Sequence, residues 1–263
     1  MLPLQSQYSK PLTLNRTIRP ATSKIIFLSC EGSVTEEQYF KLFSFLYKEV
    51  QTKVQFISVA EKAVNTPPRD RTTEQNILLS KTRPLQLVQR IDDFIKENEN
   101  QYQFSQYPED EFWIVTDVDN NWSQDKIPLE ANNKSYLDEW NEAVQECEEK
   151  GYHYAVSNPF FELWLLLHHD MVTEEDKQFA VTDEHPYQPT NHFRLRLREL
   201  GAPLQDKKKI KYIHYSKEKI GLAVKKAKLL HIDPNDLAPK YLATTVYKLV
   251  EQIIELSNNL IKE

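Results

Sequence analysis

Glycine is scarce in this chain, with four residues in 263, at positions 32, 151, 201 and 221. A phosphate-binding loop of the Walker or dinucleotide kind needs several glycines close together, so that class of nucleotide site is excluded. Any nucleotide chemistry is expected to fall to a partner chain. Cysteine is scarcer, limited to Cys30 in a strand pattern and Cys147 in a helix pattern, which excludes a disulfide scaffold and fits a reducing cytoplasm. No run reaches the ~20 apolar residues a membrane helix requires. The first twenty residues, MLPLQSQYSKPLTLNRTIRP, lack an apolar core of signal-peptide length. The expectation is a cytoplasmic, non-membrane protein.

What is present is ordinary for a globular domain, 40% apolar and 27% charged residues, but the charge is unevenly placed. Twelve Lys and Arg stand against three acids between Arg194 and Lys228, a local charge of +9 in a chain whose net charge is −6. The remainder therefore carries −15. A basic face with Tyr212 and Tyr215 nearby can follow a phosphate backbone, and Lys207, Lys208, Lys209, Lys211, Lys225 and Lys226 are the candidate contacts. Lys217, Lys219 and Lys228 are expected to point outward with Lys225 and Lys226. The alternative is a solvated helix face.

Residues 1–22 carry Pro3, Pro11 and Pro20 and no period, and read as an N-terminal arm. The organising stretch follows, Ser23 to Tyr47. Lys24 to Cys30 is a short apolar run of buried-strand type, and its carboxyl end delivers Glu31. Gly32 allows a sharp turn, and Ser33 with Glu36 matches a capping box for a helix with Tyr39, Phe40, Phe43, Leu46 and Tyr47 on one face. A second strand is expected over Lys53 to Val59. After the loop Asn65 to Thr73, a helix carries Leu85, Val88, Ile91, Phe94 and Ile95. Strand, helix, strand, helix is the order of a parallel sheet flanked by helices.

The second chemical stretch is EFWIVTDVD, Glu111 to Asp119. Its apolar strand ends on Asp117 and Asp119, which face one way if extended backbone persists. Adjacent carboxylates repel unless a cation or a proton intervenes, and hard oxygen ligands suit Mg²⁺ or Mn²⁺. The competing reading is a pair of turn acids before Asn120-Asn121. A helix from Ser135 to Lys150 and a fourth strand from Tyr152 to Ser157 follow. The apolar run FFELWLLLH then begins after Pro159, with Ser157 or Asn158 as its cap and Glu162 as its one acid. Glu162 is either a first-turn acid favoured by the helix dipole or one more carboxylate at the strand ends. His168 and His169 read as helix-end residues. Asp170 to Pro189 is polar and irregular; helices are expected over His192 to Leu200, Lys217 to Leu230 and Tyr241 to Ile261.

Taken together, EGSVTE with YF following, WIVTDVD and SNPFFELWLLLH resemble the RloB-like family, proteins associated with restriction and abortive-infection loci and related to AbiL-type phage defence. The resemblance spans about Lys24 to Glu255. It implies a Toprim-like α/β core over residues 23–170, completed by a basic, mainly helical part over 171–263. It also implies Glu31 as an acid/base or metal residue, Asp117 and Asp119 as ligands of Mg²⁺ or Mn²⁺, and a partner ATPase. Glu36 and Glu162 match family positions as possible additional acids. The expected function is a metal-dependent nuclease acting on DNA or RNA in anti-phage defence. A non-catalytic Toprim-like sensor or adaptor binding an ATPase or nucleic acid, and a phosphotransferase or nucleotidyl-transfer enzyme, are the alternatives.

Overall fold

The computed structural model describes residues 24–32, 34–50, 54–118, 136–180, 191–205, 209–231, 233, 239 and 241–260. The expected N-terminal arm lies outside them, as do Ser33, Asp119, Lys207 and Lys208.

Five strands form one sheet in the order β2-β1-β3-β4-β5. They are β1 (Lys24–Cys30), β2 (Val54–Ser58), β3 (Glu111–Asp117), β4 (His153–Asn158) and β5 (Ala243–Thr244). The first four run parallel, and β5 pairs antiparallel with β4 through Ser157 and Asn158. The helices in chain order are α1 (Thr35–Leu46), α2 (Glu61–Asn65), α3 (Thr73–Ser80), α4 (Pro84–Tyr102), α5 (Tyr136–Lys150), α6 (Phe161–Leu167), α7 (Glu174–Lys177), α8 (His192–Glu199), α9 (Lys217–Leu230) and α10 (Val246–Leu260). This is an α/β fold with a mostly parallel sheet flanked by helices, consistent with the Toprim-like arrangement. No helix among the described residues is long and apolar enough to cross a membrane.

Both sheet faces are covered, which is why the strands are apolar on both sides. Alternate residues of β1 separate cleanly. Ile26, Leu28 and Cys30 join Trp113, Val115, the aromatic face of α1 and helices α6, α8, α9 and α10 in one core. Ile25 and Phe27 join Phe112, Ile114 and the apolar stripes of α4 and α5 in the other. In the first core α6 is buried on every side, all seven residues included, so its sequence shows no polar stripe.

The connections create a seam. From β1 the chain leaves through α1 to β2 on one flank, and from β3 it leaves through α5 to β4 on the other. These two crossover helices lie on opposite faces. In open α/β sheets the crevice beyond the carboxyl ends of two such diverging strands is where ligands bind. Glu31 and Asp117 stand at the carboxyl ends of those two strands.

The N-cap of α1 is Val34, which makes no side-chain cap bond, and the Ser33 half of the expected capping box lies outside the described residues. Two local expectations are corrected. Neither Ser157 nor Asn158 caps α6. Ser157 Oγ bonds Thr244 Oγ1 at 2.9 Å and the Asn158 amide donates to the Pro239 carbonyl at 2.6 Å, so both side chains tie β4 to the C-terminal segment. The helix expected from Tyr241 begins instead at Val246, after the edge strand β5.

Candidate functional site

The Glu31 N–H donates to the Val115 carbonyl at 2.8 Å, carrying the β1/β3 pairing one residue past the end of β1. Its side chain then turns across the seam. Glu31 Oε2 accepts from the Thr116 hydroxyl at 2.6 Å and from the Asp117 N–H at 3.0 Å. Two donors to one carboxylate oxygen fix its position. Arg90 of α4, 3% exposed, donates to the Cys30 carbonyl at 2.8 Å and anchors the residue before Glu31.

Asp117 closes β3, and its carboxylate accepts from the Phe161 N–H. Its pKa is nevertheless raised well above the ordinary aspartate range, first by burial and then by the charges of Glu31, Glu36 and Glu162. The side-chain charges that act on it most strongly are all acidic. The structure therefore brings Glu31, Glu36, Asp117 and Glu162 to one crevice, from a strand end, a helix start, a second strand end and a second helix start.

Glu36 reaches the crevice because residue 32 has no side chain. A Cβ at Gly32 would stand 2.1 Å from Glu36 Oε2, so the carboxylate lies directly over the glycine backbone. Glu162 is 5% exposed and pairs with Arg194 of α8, whose Nε is 2.7 Å from Oε1. One of the four carboxylates is thus neutralised from the far side of the site.

Among the described residues no group of three or more His, Cys, Asp or Glu could hold a metal ion, and Asp119, the third expected ligand, lies outside them. The chemistry of the donors nonetheless fits Mg²⁺ or Mn²⁺. These are hard carboxylate oxygens at a strand-end crevice, with an aspartate destabilised by three other acids, and a divalent cation relieves that repulsion.

Thr116, Arg90 and Arg194 escaped the sequence reading in these roles. Thr116 sits inside WIVTDVD, but its bond to Glu31 spans 85 positions. In the sequence Arg194 stands out only as part of the basic segment.

That segment is partly consumed by the fold. Lys209, Lys211 and Lys225 are exposed, while Lys207 and Lys208 lie outside the described residues. Lys226 turns inward, contrary to expectation. Its Nζ donates to the Leu167 carbonyl at 2.9 Å, and burial lowers its pKa. Lys217 pairs with Glu49 and lies 4.7 Å from the Tyr47 ring centroid, Lys228 pairs with Glu251, and Lys219 donates to the His214 carbonyl at 2.9 Å. The cause is packing: α9 lies against α6 and α10, and its long side chains reach carbonyls and acids there. His168, read as a helix-end residue, caps α6. It is fully enclosed, with Nδ1 2.9 Å from the Trp164 carbonyl and Nε2 3.2 Å from the Tyr39 hydroxyl, and burial pushes its pKa down to about 3.

A family model described as RloB-like protein matches residues 26–253. No curated protein and no solved structure matches the chain.

Proposed function

The chain belongs to the RloB-like family, and from that premise we propose that it is a Mg²⁺- or Mn²⁺-dependent nuclease acting in anti-phage defence with a partner ATPase. One observation carries this reading most directly: Glu31 and Asp117 occupy the carboxyl ends of the two adjoining parallel strands whose connections diverge, with Glu36 and Glu162 beside them. Asp117 and Asp119 would hold the cation, with Glu31 and Glu36 on the same side of the seam. When bound, the ion would neutralise charge on a scissile phosphate and lower the pKa of a water molecule. Glu31, held in place by the Thr116 hydroxyl and the Asp117 amide, would orient a water molecule at the crevice and accept its proton. The exposed Lys209, Lys211 and Lys225 hold the phosphate backbone on the basic side. An ATPase partner is consistent with the absence of any glycine-rich phosphate loop from this chain.

A second reading, a non-catalytic adaptor, draws on the bonds that the acids already make. Glu162 is engaged by Arg194, and Glu31 by Thr116 and the Asp117 amide.

The test is incubation of the full chain, alone and with its neighbouring ATPase where one is encoded, with labelled DNA and total tRNA in Mg²⁺ or Mn²⁺, beside Asp117→Asn and Glu31→Gln. Cutting that requires metal and disappears in both variants is the expected result. Binding without cutting, unchanged in the variants and by chelator, would leave the adaptor.

A further inference from the structure

Lys219 Nζ lies between two elements. It donates to the His214 carbonyl at 2.9 Å, on the short turn Tyr212–His214, and stands 3.4 Å from Nδ1 of His169, just beyond α6. An ammonium has only protons to give, so His169 Nδ1 is the acceptor and the ring proton sits on Nε2. That Nε2–H is buried and has no partner among the described residues. Nε2 of His214 is likewise buried and unpartnered among them.

The surroundings are basic. Lys219, His214 and Lys226 act on His169, and Lys211 and Lys219 act on His214. The acid that acts on Lys226, Asp170, is paired with Arg196 at 3.0 Å. The Tyr215 ring, 5.4 Å from that of His169, closes the inner side.

We propose that His169, His214 and Lys219, with Lys211 at the rim, form an anion site that takes a phosphate group. Among the described residues the buried donor lacks an acceptor and no acid acts on either histidine, and phosphate oxygens would complete both. A metal ion is the poorer occupant. The lone pair of His169 is already directed at Lys219, and three lysines repel a cation. Burial followed by Lys219 lowers the His169 pKa to about 4, and His214 is lowered by burial and then by Lys211 and Lys219; a bound anion would act against the lysine contribution to both. His214 and Lys211 keep exposed surface, so the anion enters from their side as the His214 ring turns. The site stands whether or not the chain cuts nucleic acid. It lies at the opposite end of α6 from Glu162, roughly 10 Å along a helix of this length.

The test uses the full chain with labelled histidine rings, observed by NMR as inorganic phosphate is added, and in parallel as a single-stranded oligonucleotide without terminal phosphate is added. Saturable shifts of the His169 and His214 rings are expected. Lys219→Met and His214→Gln should each weaken binding at least about tenfold, as expected for a lost charge-assisted hydrogen bond. Lys96→Met, on an exposed position of α4 across the sheet, should leave it unchanged. The dispersed spectrum of each variant reports its folding. Saturation by the oligonucleotide assigns the anion to a nucleic-acid backbone, and saturation by phosphate alone assigns it to a free phosphate or phosphomonoester. Either result supports the site. Shifts that never saturate, or that persist equally in folded Lys219→Met and His214→Gln, overturn it.

Discussion

Asp117 carries the most consequence for a single side chain. Because its pKa is raised in the folded chain, by burial and then by Glu31, Glu36 and Glu162, the folded state keeps that proton to higher pH than the unfolded state does. Stability contributed by this proton is present at low pH and lost as pH rises from the ordinary carboxylate range through the raised value. Asp117→Asn removes that dependence. In chelator, the urea midpoint of the wild type should fall between about pH 5 and about pH 8 by more than that of Asp117→Asn. Glu37, also raised by burial, is common to both proteins and cancels in the comparison. Equal falls would show that the charges at the crevice do not act on Asp117 as described. Glu162 makes the converse prediction. Removing its partner with Arg194→Ala leaves a buried carboxylate uncompensated, a cost of roughly 1–3 kcal/mol given that the arginine is partly solvated. Adding Glu162→Gln should recover most of it, and denaturant melts of the two single variants and the double variant measure the coupling. At this scale Glu31 and Asp117 were legible because each ends an apolar strand. Glu36 reads as a cap in the sequence, since nothing local says that its carboxylate folds back over Gly32. Thr116, Arg90 and Arg194 were not legible as site residues because their partners are 85, 60 and 32 positions away.

Elements with a clear period were read well from the sequence. Helix α9 begins and ends where its apolar spacing places it, and α5 ends at Lys150 as expected. The four parallel strands were visible as short β-branched and aromatic runs. Strand β5 was not, because two residues carry no period and Leu242 and Val246 merge with the stripe of α10. Its existence depends on tertiary pairing. The Val156 N–H donates to Thr245 Oγ1 at 2.8 Å, and the Thr245 N–H donates to the Val156 carbonyl at 2.8 Å, so a side chain just beyond β5 extends the ladder to β4. Thr245→Val keeps the volume and removes the acceptor. The Val156 amide is then buried without a partner, which should cost about 1–3 kcal/mol. Hydrogen exchange at the Val156 amide, together with a denaturant melt, would report the change. Unaltered protection would mean that the hydroxyl does not hold the edge of the sheet.

For the whole molecule, the separation of charge decides how nucleic acid could be held. The sequence segment from Arg194 to Lys228 carries +9, yet the folded chain spends much of it internally. Arg194 goes to Glu162, Arg196 to Asp170 and Asp176, Lys217 to Glu49 and Lys228 to Glu251, while Lys226 turns to the end of α6. Among the described candidate contacts, Lys209, Lys211 and Lys225 stay exposed, and Lys207 and Lys208 lie next to them in the chain. Binding to duplex DNA releases roughly 0.9 counterions per phosphate neutralised, so three to five available lysines imply a slope of log affinity against log salt of about −3 to −4.5. If all twelve basic residues met phosphate, the slope would approach about −11. The rest of the chain, at −15, opposes extended binding, so contact should stay confined to this face. Titration of a labelled duplex at several salt concentrations distinguishes the cases. Lys209→Gln, Lys211→Gln and Lys225→Gln should each flatten the slope by about one unit, while Lys217→Gln should leave it unchanged. A slope near −11, or one flattened equally by Lys217→Gln, would show that the internal ion pairs open on binding and that the basic segment acts as a whole.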